Sequence, residues 1–176
     1  MRGVLTALAL WCLLAMTGCA STPEIGADDL TGLSLINPQL PETNVMSGGQ
    51  PSEQDLELLR DRGVTTVVTL RREDEEVPYD EAAKAAELGM SFVRIPVGTS
   101  EGLDAATANK LRQTLAAAPG PTFVHCGSGN RVGALFAIDA MVNDGKSLEE
   151  ALEVGRAAGL TRFEPRVREV LTELAQ

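Results

Sequence analysis

Residues 122–135, Thr-Phe-Val-His-Cys-Gly-Ser-Gly-Asn-Arg-Val-Gly-Ala-Leu, leave this chain few ways to fold. Thr122 to His125 read as a short buried strand, Cys126 to Asn130 as a glycine-rich loop, and Arg131 onward as a helix with an apolar run, Ala134 to Ile138. A loop that joins a strand end to a helix N-terminus points several backbone N–H groups at one spot, and the helix dipole adds partial positive charge there. Gly127 and Gly129 permit turns that a Cβ would forbid. The field that attracts an anion also favours the thiolate form of a cysteine, and Cys126 opens the loop. Arg131 closes it with a planar donor fork suited to a tetrahedral oxyanion. Cys126 is therefore the candidate nucleophile, Arg131 its charged partner, and Gly127, Ser128, Gly129 and Asn130 the candidate anion-binding residues. Asn130 tolerates left-handed backbone angles and is expected to serve loop conformation. His125 is expected to hydrogen-bond to backbone beneath the loop, a structural role without proton transfer.

The remaining elements alternate. A hairpin over Leu33 to Asn37 and Asn44 to Ser47 is expected first, followed by a helix that starts at Ser52 with Asp55 in the capping-box position. Val64 to Leu70 is almost wholly β-branched, the pattern of a strand covered on both faces. A helix over Tyr79 to Leu88, a strand over Ser91 to Val97 and a helix from Leu103 or Asp104 to Ala118 precede the loop. Helices over Arg131 to Asn143, Ser147 to Ala158 and Pro165 to Leu174 follow it. Alternation of this kind predicts one three-layer α/β domain, with a mainly parallel central sheet, right-handed crossovers and helices on both faces. Sites in such sheets lie beyond the carboxyl ends of the strands, where Cys126 falls.

The N-terminus reads differently. Residues 1–18 form a signal peptide, with Arg2 as a minimal charged region and Val4 to Met16 an apolar stretch too short to span a bilayer. Met16-Thr17-Gly18-Cys19 resembles the lipobox of bacterial lipoproteins, which implies cleavage before Cys19 and its acylation; a plain secretory signal is the alternative. Residues 19–32 are then lipidated cysteine and tether, and 33–176 the folded domain. The expected location is the periplasmic face of a membrane, the outer one in a Gram-negative host because Ala20 follows the cysteine. Cys12 leaves with the signal and Cys19 carries lipid, so Cys126 is the one remaining thiol of three cysteines and no intrachain disulfide can form. His125 is the only histidine, which argues against zinc; no metal or cofactor is expected. Losing Arg2 takes the formal net charge from −10 to −11, with no basic patch, so nucleic acid is excluded as a partner. The expected partners are a phosphorylated small molecule or protein and, through the lipid, the membrane.

His125-Cys126-x-x-Gly129-x-Arg131 resembles the signature loop of the cysteine-dependent tyrosine and dual-specificity phosphatases, shortened by one residue to Cys-x4-Arg. That spacing is similar to the active loops of rhodanese-type sulfurtransferases. Ser47-Gly48-Gly49-Gln50-Pro51-Ser52, Leu70-Arg71-Arg72-Glu73-Asp74-Glu75 and Ile95-Pro96-Val97, with the Cys126–Arg131 loop, resemble in order the elements of the bacterial beta-lactamase-hydrolase-like (DUF442) phosphatase domain. The resemblance implies a phosphatase-like fold and a phosphocysteine intermediate. It also implies a general acid on the stretch Val97 to Asp104, but position 98, directly after Ile-Pro-Val, is glycine. Glu101 and Asp104 remain as candidates, and Asp104 is well placed, as the stronger of its two readings, to cap the helix beginning at Ala105. Arg71, at a strand's carboxyl end, is placed either to bind substrate or to pair with the acidic run Glu73 to Glu76. Gln50 either packs beside the loop or belongs to a plain turn.

Three functions stay open. One is a phosphatase for phosphotyrosine-like or small phosphate esters. The second is a sulfurtransferase carrying a persulfide on Cys126, which needs no leaving-group acid. The third is a lipid-anchored anion-binding module with little turnover.

Overall fold

The computed structural model describes residues 25–98 and 101–176. The signal peptide, Cys19 and the first part of the tether lie outside the described residues, as do Thr99 and Ser100. The elements are β1 (Gln39–Glu42), β2 (Val45–Gly48), α1 (Glu53–Asp61), β3 (Thr66–Thr69), α2 (Glu81–Glu87), β4 (Ser91–Arg94), α3 (Ala105–Ala117), β5 (Thr122–His125), α4 (Asn130–Val142), α5 (Leu148–Ala157) and α6 (Glu164–Leu174). The strands lie in the order β1-β2-β5-β3-β4. Only β1 runs antiparallel to its neighbour. β5 is therefore the central strand, and Cys126 leaves the sheet at the middle of its carboxyl edge.

Strand periodicity divides the core in two. Met46, Val67 and Phe123 stand in register and pack with Leu56 and Leu59 of α1 and Ala85 of α2. Val68 and Val124 face the other way, into the layer made by α3, α4, α5 and α6. Residues alternate faces along a strand, so a run that is apolar throughout serves both layers. The Ser52/Asp55 and Ser147/Glu150 capping boxes form as expected.

Two expectations near the N-terminus need correction. The first hairpin strand is Gln39–Glu42 rather than Leu33 to Asn37, because the chain reverses within Thr43 and Asn44, the latter at φ 61°. Pro41 is tolerated there since β1 is an edge strand. The tether does not reach residue 32. Ala27–Leu30 form a short 3-10 helix, Ile25, Leu30 and Leu33 pack against the α1–α2 core, and Arg62 donates to the carbonyls of Asp29 and Thr31.

Helix α4 is buried from Val132 through Ile138, as a helix covered on every side must be. Its closest neighbour is α5. A Cβ on Gly133 would lie 2.2 Å from Leu160 N and 2.5 Å from Gly155 O. The two backbones touch, which seats the α5–α6 connection against the first turn of α4 and so beside the cysteine loop. Gly133→Ala should therefore destabilise the fold by about 2 kcal/mol or more, since the atoms in the way are backbone and cannot swing aside. Urea unfolding of the two proteins measures this; an unchanged midpoint would mean that the helices can separate at little cost.

Candidate active site

The loop is built from both sides. The Cys126 N–H donates to Gly48 O at 3.3 Å, and Gly49 pairs with Ser128 in an antiparallel bridge. A Cβ on Gly49 would sit 3.0 Å from Gly127 O, so the Ser47–Pro51 element lies against the loop. The left-handed residue at the head of α4 is Gly129, at φ 81°. Asn130 is already helical, which corrects its expected conformational role. Its side chain is a fastener instead: Oδ1 accepts from Thr161 N and Oγ1, both at 3.0 Å, and from Phe163 N at 3.1 Å. Cys126, 1% exposed, lies in a cleft of about 320 Å³. Gly127, Ser128, Asn130 and Arg131 line it, together with Arg72, Glu75, Gly98, Arg162 and Phe163. A second cleft, between the β1–β2 turn, α3 and α4, shares none of these residues.

Arg131 is held by two chain segments, the one after β3 and the one after β4. Its Nη1 donates to Val97 O at 2.7 Å and to Leu70 O at 3.4 Å, carbonyls just beyond the ends of β4 and β3. Glu75 grips it with both oxygens, at 2.5 Å to Nη1 and 2.8 Å to Nη2. These hydrogen bonds hold the Glu75 carboxyl down at about 2, against the opposing push of burial. They also raise the Arg131 guanidinium above its usual range, with the neighbouring Cys126 sulfur adding to the effect. Arg71 does not line the cleft. Its guanidinium lies behind Glu75, donating to Gln50 Oε1 at 3.1 Å and Glu76 O at 2.5 Å, with Nε 3.4 Å from Glu75 Oε2. The expectation that Arg71 touches substrate gives way to one in which it braces Glu75, while Arg72 reaches the cleft. Gln50 is part of the same brace.

His125 sits under the loop, fully buried and stacked on Phe123 at 5.5 Å. Its Nδ1 lies 3.3 Å from Cys126 O, and Nε2 lies 2.8 Å from Glu81 Oε1. Neither Nε2 nor Oε1 makes a directed hydrogen bond. Neither acid candidate is brought into the cleft. Asp104 caps α3, accepting from Thr107 N at 2.8 Å, and Glu101 is exposed, its backbone oxygen accepting from Gly98 N. Among the described residues the cleft's one carboxylate is Glu75, which is ionised at neutral pH and tied to Arg131. Among the described residues no group of three or more His, Cys, Asp or Glu side chains could hold a metal ion. Arg162 and Phe163 were not legible as site residues, since nothing local distinguishes a lone Arg-Phe before a helix. Glu75 had a faint signal in the Leu70–Glu75 element.

Residues 29–167 match the family described as DSP-PTPase phosphatase fused to NAD+ kinase. Beta-lactamase hydrolase-like proteins of two Xylella fastidiosa strains are 29% identical over 116 residues, covering 63% of this chain but 26% of their own length. The chain thus spans about a quarter of those relatives. Among solved structures, TpbA of P. aeruginosa in complex with pTyr is 22% identical, with TM-score 0.58 over 90% of this chain and 99% of that one. A DUF442 protein of Shewanella putrefaciens CN-32 is 17% identical, with TM-score 0.60 over 85% and 98%. The Siw14 catalytic core is 14% identical, with TM-score 0.61 over 77% and 83%. These likenesses show a shared fold.

Two outcomes follow from the site's geometry. Glu75 has a folded value near 2 against an ordinary 4.5, so its contribution to stability is complete above about pH 4.5 and is lost as pH falls toward 2. Glu75→Gln should remove up to about 3 kcal/mol at neutral pH and flatten that acid limb, as unfolding free energies measured from pH 2 to 7 would show. Asp104→Ala should cost about 1 kcal/mol of stability while leaving the pH dependence of turnover in place. Loss of a titrating limb in that variant would return Asp104 to the chemistry.

Proposed function

The chain belongs to the DSP-PTPase phosphatase family, and on that footing we propose that Cys126 is the nucleophile of a phosphatase acting on phosphotyrosine-like or small phosphate esters. The carrying observation is the buried Cys126 at the mouth of the Gly127–Asn130 cradle, with Arg131 fixed beside it by Val97 O and Glu75. The Cys126 thiolate attacks phosphorus, the S–P bond forms as the ester P–O bond breaks, and water then displaces the phosphate. Loop amides and Arg131 bind the oxygens on which charge redistributes. Glu75 is already ionised and position 98 is glycine, so the leaving oxygen takes its proton from solvent. The reading therefore favours esters whose leaving group is stable as an anion, such as aryl phosphates. The proposal keeps the exported, lipid-anchored placement drawn from Met16 to Cys19.

The Cys-x4-Arg spacing supports a second reading. In it the Cys126 thiolate takes the outer sulfur of thiosulfate with loss of sulfite, and cyanide removes that sulfur as thiocyanate. A pure anion-binding module has no use for a reactive thiol in the cradle.

The protein is incubated with an aryl phosphate and, separately, with thiosulfate and cyanide. Cys126→Ser should abolish aryl phosphate turnover while leaving the unfolding midpoint close to that of the unchanged protein. Arg131→Lys should cost roughly 100-fold or more, because an ammonium cannot reproduce the two-pronged contact. Thiocyanate formation without phosphate release, abolished in Cys126→Ser, would replace the phosphatase reading with the sulfurtransferase one.

A further inference from the structure

Arg162 is an anomaly among the arginines of an acidic protein. Of the described arginines, most pair with carboxylates, and Arg62 and Arg94 donate to backbone carbonyls. Arg162 has neither. Among the described residues its guanidinium donates only to Ser128 Oγ, at 3.3 Å, and it lies 5.8 Å above the centre of the Phe163 ring. Ser128 is a residue of the cysteine cradle, and Arg162 lines the same cleft as Cys126.

This placement is built, not incidental. The residues on either side of Arg162 are tied to the cradle itself, since Thr161 N, Thr161 Oγ1 and Phe163 N all donate to Asn130 Oδ1. The connection that carries them is seated by the backbone contact at Gly133, and Asn37 Nδ2 donates to Gly159 O at 2.8 Å. Phe163 supplies a ring face beneath the guanidinium, a contact that favours a cation. Three hydrogen bonds from one buried side chain thus hold an unneutralised charge at the rim of an anion cradle. Arg131 already serves the cradle, so a second fork beside it has no role toward a single phosphate that Arg131 and the loop amides surround.

We propose that Arg162 forms a second anion subsite, and that the substrates of this protein are small phosphate esters bearing another phosphate or a carboxylate close to the scissile group. Guanidinium forks suit both groups. Arg72 lines the same cleft, is paired among the described residues only with exposed Asp74, and adds positive potential to the same space. The second guanidinium also gives an acidic protein a locally positive site able to attract a polyanion. This inference rests on Cys126 to Arg131 as the phosphate cradle, and it deepens the phosphatase reading.

The test separates binding from chemistry. Calorimetric titration of the Cys126→Ser protein with orthophosphate and with pyrophosphate gives the preference for a second phosphate. Adding Arg162→Gln should reduce that preference about tenfold, the scale of one charge-assisted hydrogen bond, whereas Arg166→Gln, which removes an equal charge elsewhere on the surface, should not. An equal preference in the Arg162 and Arg166 variants overturns the subsite. Aryl phosphate turnover by the unchanged protein is measured alongside. If it is absent while the Arg162-dependent preference persists, the phosphatase reading fails and the subsite stands as an anion-binding site.

Discussion

The charge of Arg131 sets the arrangement at the carboxyl edge of the sheet. A guanidinium that is largely withdrawn from water needs close partners, or the cost of removing it from solvent exceeds what its attraction returns. Here those partners come from two segments, Leu70 and Glu75 after β3 and Val97 after β4. Glu75 is held in turn by Arg71, and Arg71 by Gln50 and Glu76. The ends of β3 and β4 and the Ser47–Pro51 element therefore form one support for a single side chain. Removing Glu75 would loosen the support as well as the ion pair.

The other half of the site depends on close approach rather than charge. Gly133 and Gly155 let α4 and α5 meet backbone to backbone, and this seats the turn after α5 beside the head of α4. Asn130 then reads that turn through one side-chain oxygen. A polar group buried with its bonds satisfied confers orientation, and the energy of leaving it unpaired enforces that orientation. The loop around Cys126 is thus fixed from below by His125 and Phe123, from one side by Gly49 and from the other by Thr161 and Phe163.

The two acid candidates fit this picture. Among the described residues the cleft's only carboxylate is committed to Arg131, and Asp104 caps a helix. What the site offers is an anion cradle with strong, oriented positive charge and a thiol at its mouth. Such a site stabilises charge on phosphorus oxygens far better than it protonates a departing one.

Local signals carried the order of strands and helices, the two capping boxes and the β5–loop–α4 unit, because each rests on residues adjacent in sequence. The cysteine, its cradle glycines and Arg131 were legible for the same reason: strand, loop and helix dipole act within a dozen residues. Local reading failed where the deciding partner is distant. Asn130 was taken for a backbone device because its three donors lie about thirty positions away. Arg71 pairs with the acidic run, the second of its two readings, and Arg72 reaches the cleft, because only the packed sheet decides which guanidinium Glu75 and Gln50 draw back. Asp104 had two readings, of which the helix cap was the stronger, and the helix took it because its N–H groups are near at hand and the cleft is not. Arg162 had no local reading at all. The sequence by itself determined the strand, the glycine-rich loop and the helix start that hold the candidate nucleophile and its candidate anion cradle; tertiary structure alone decided which side chains surround that loop, since long-range packing and not spacing brings them there.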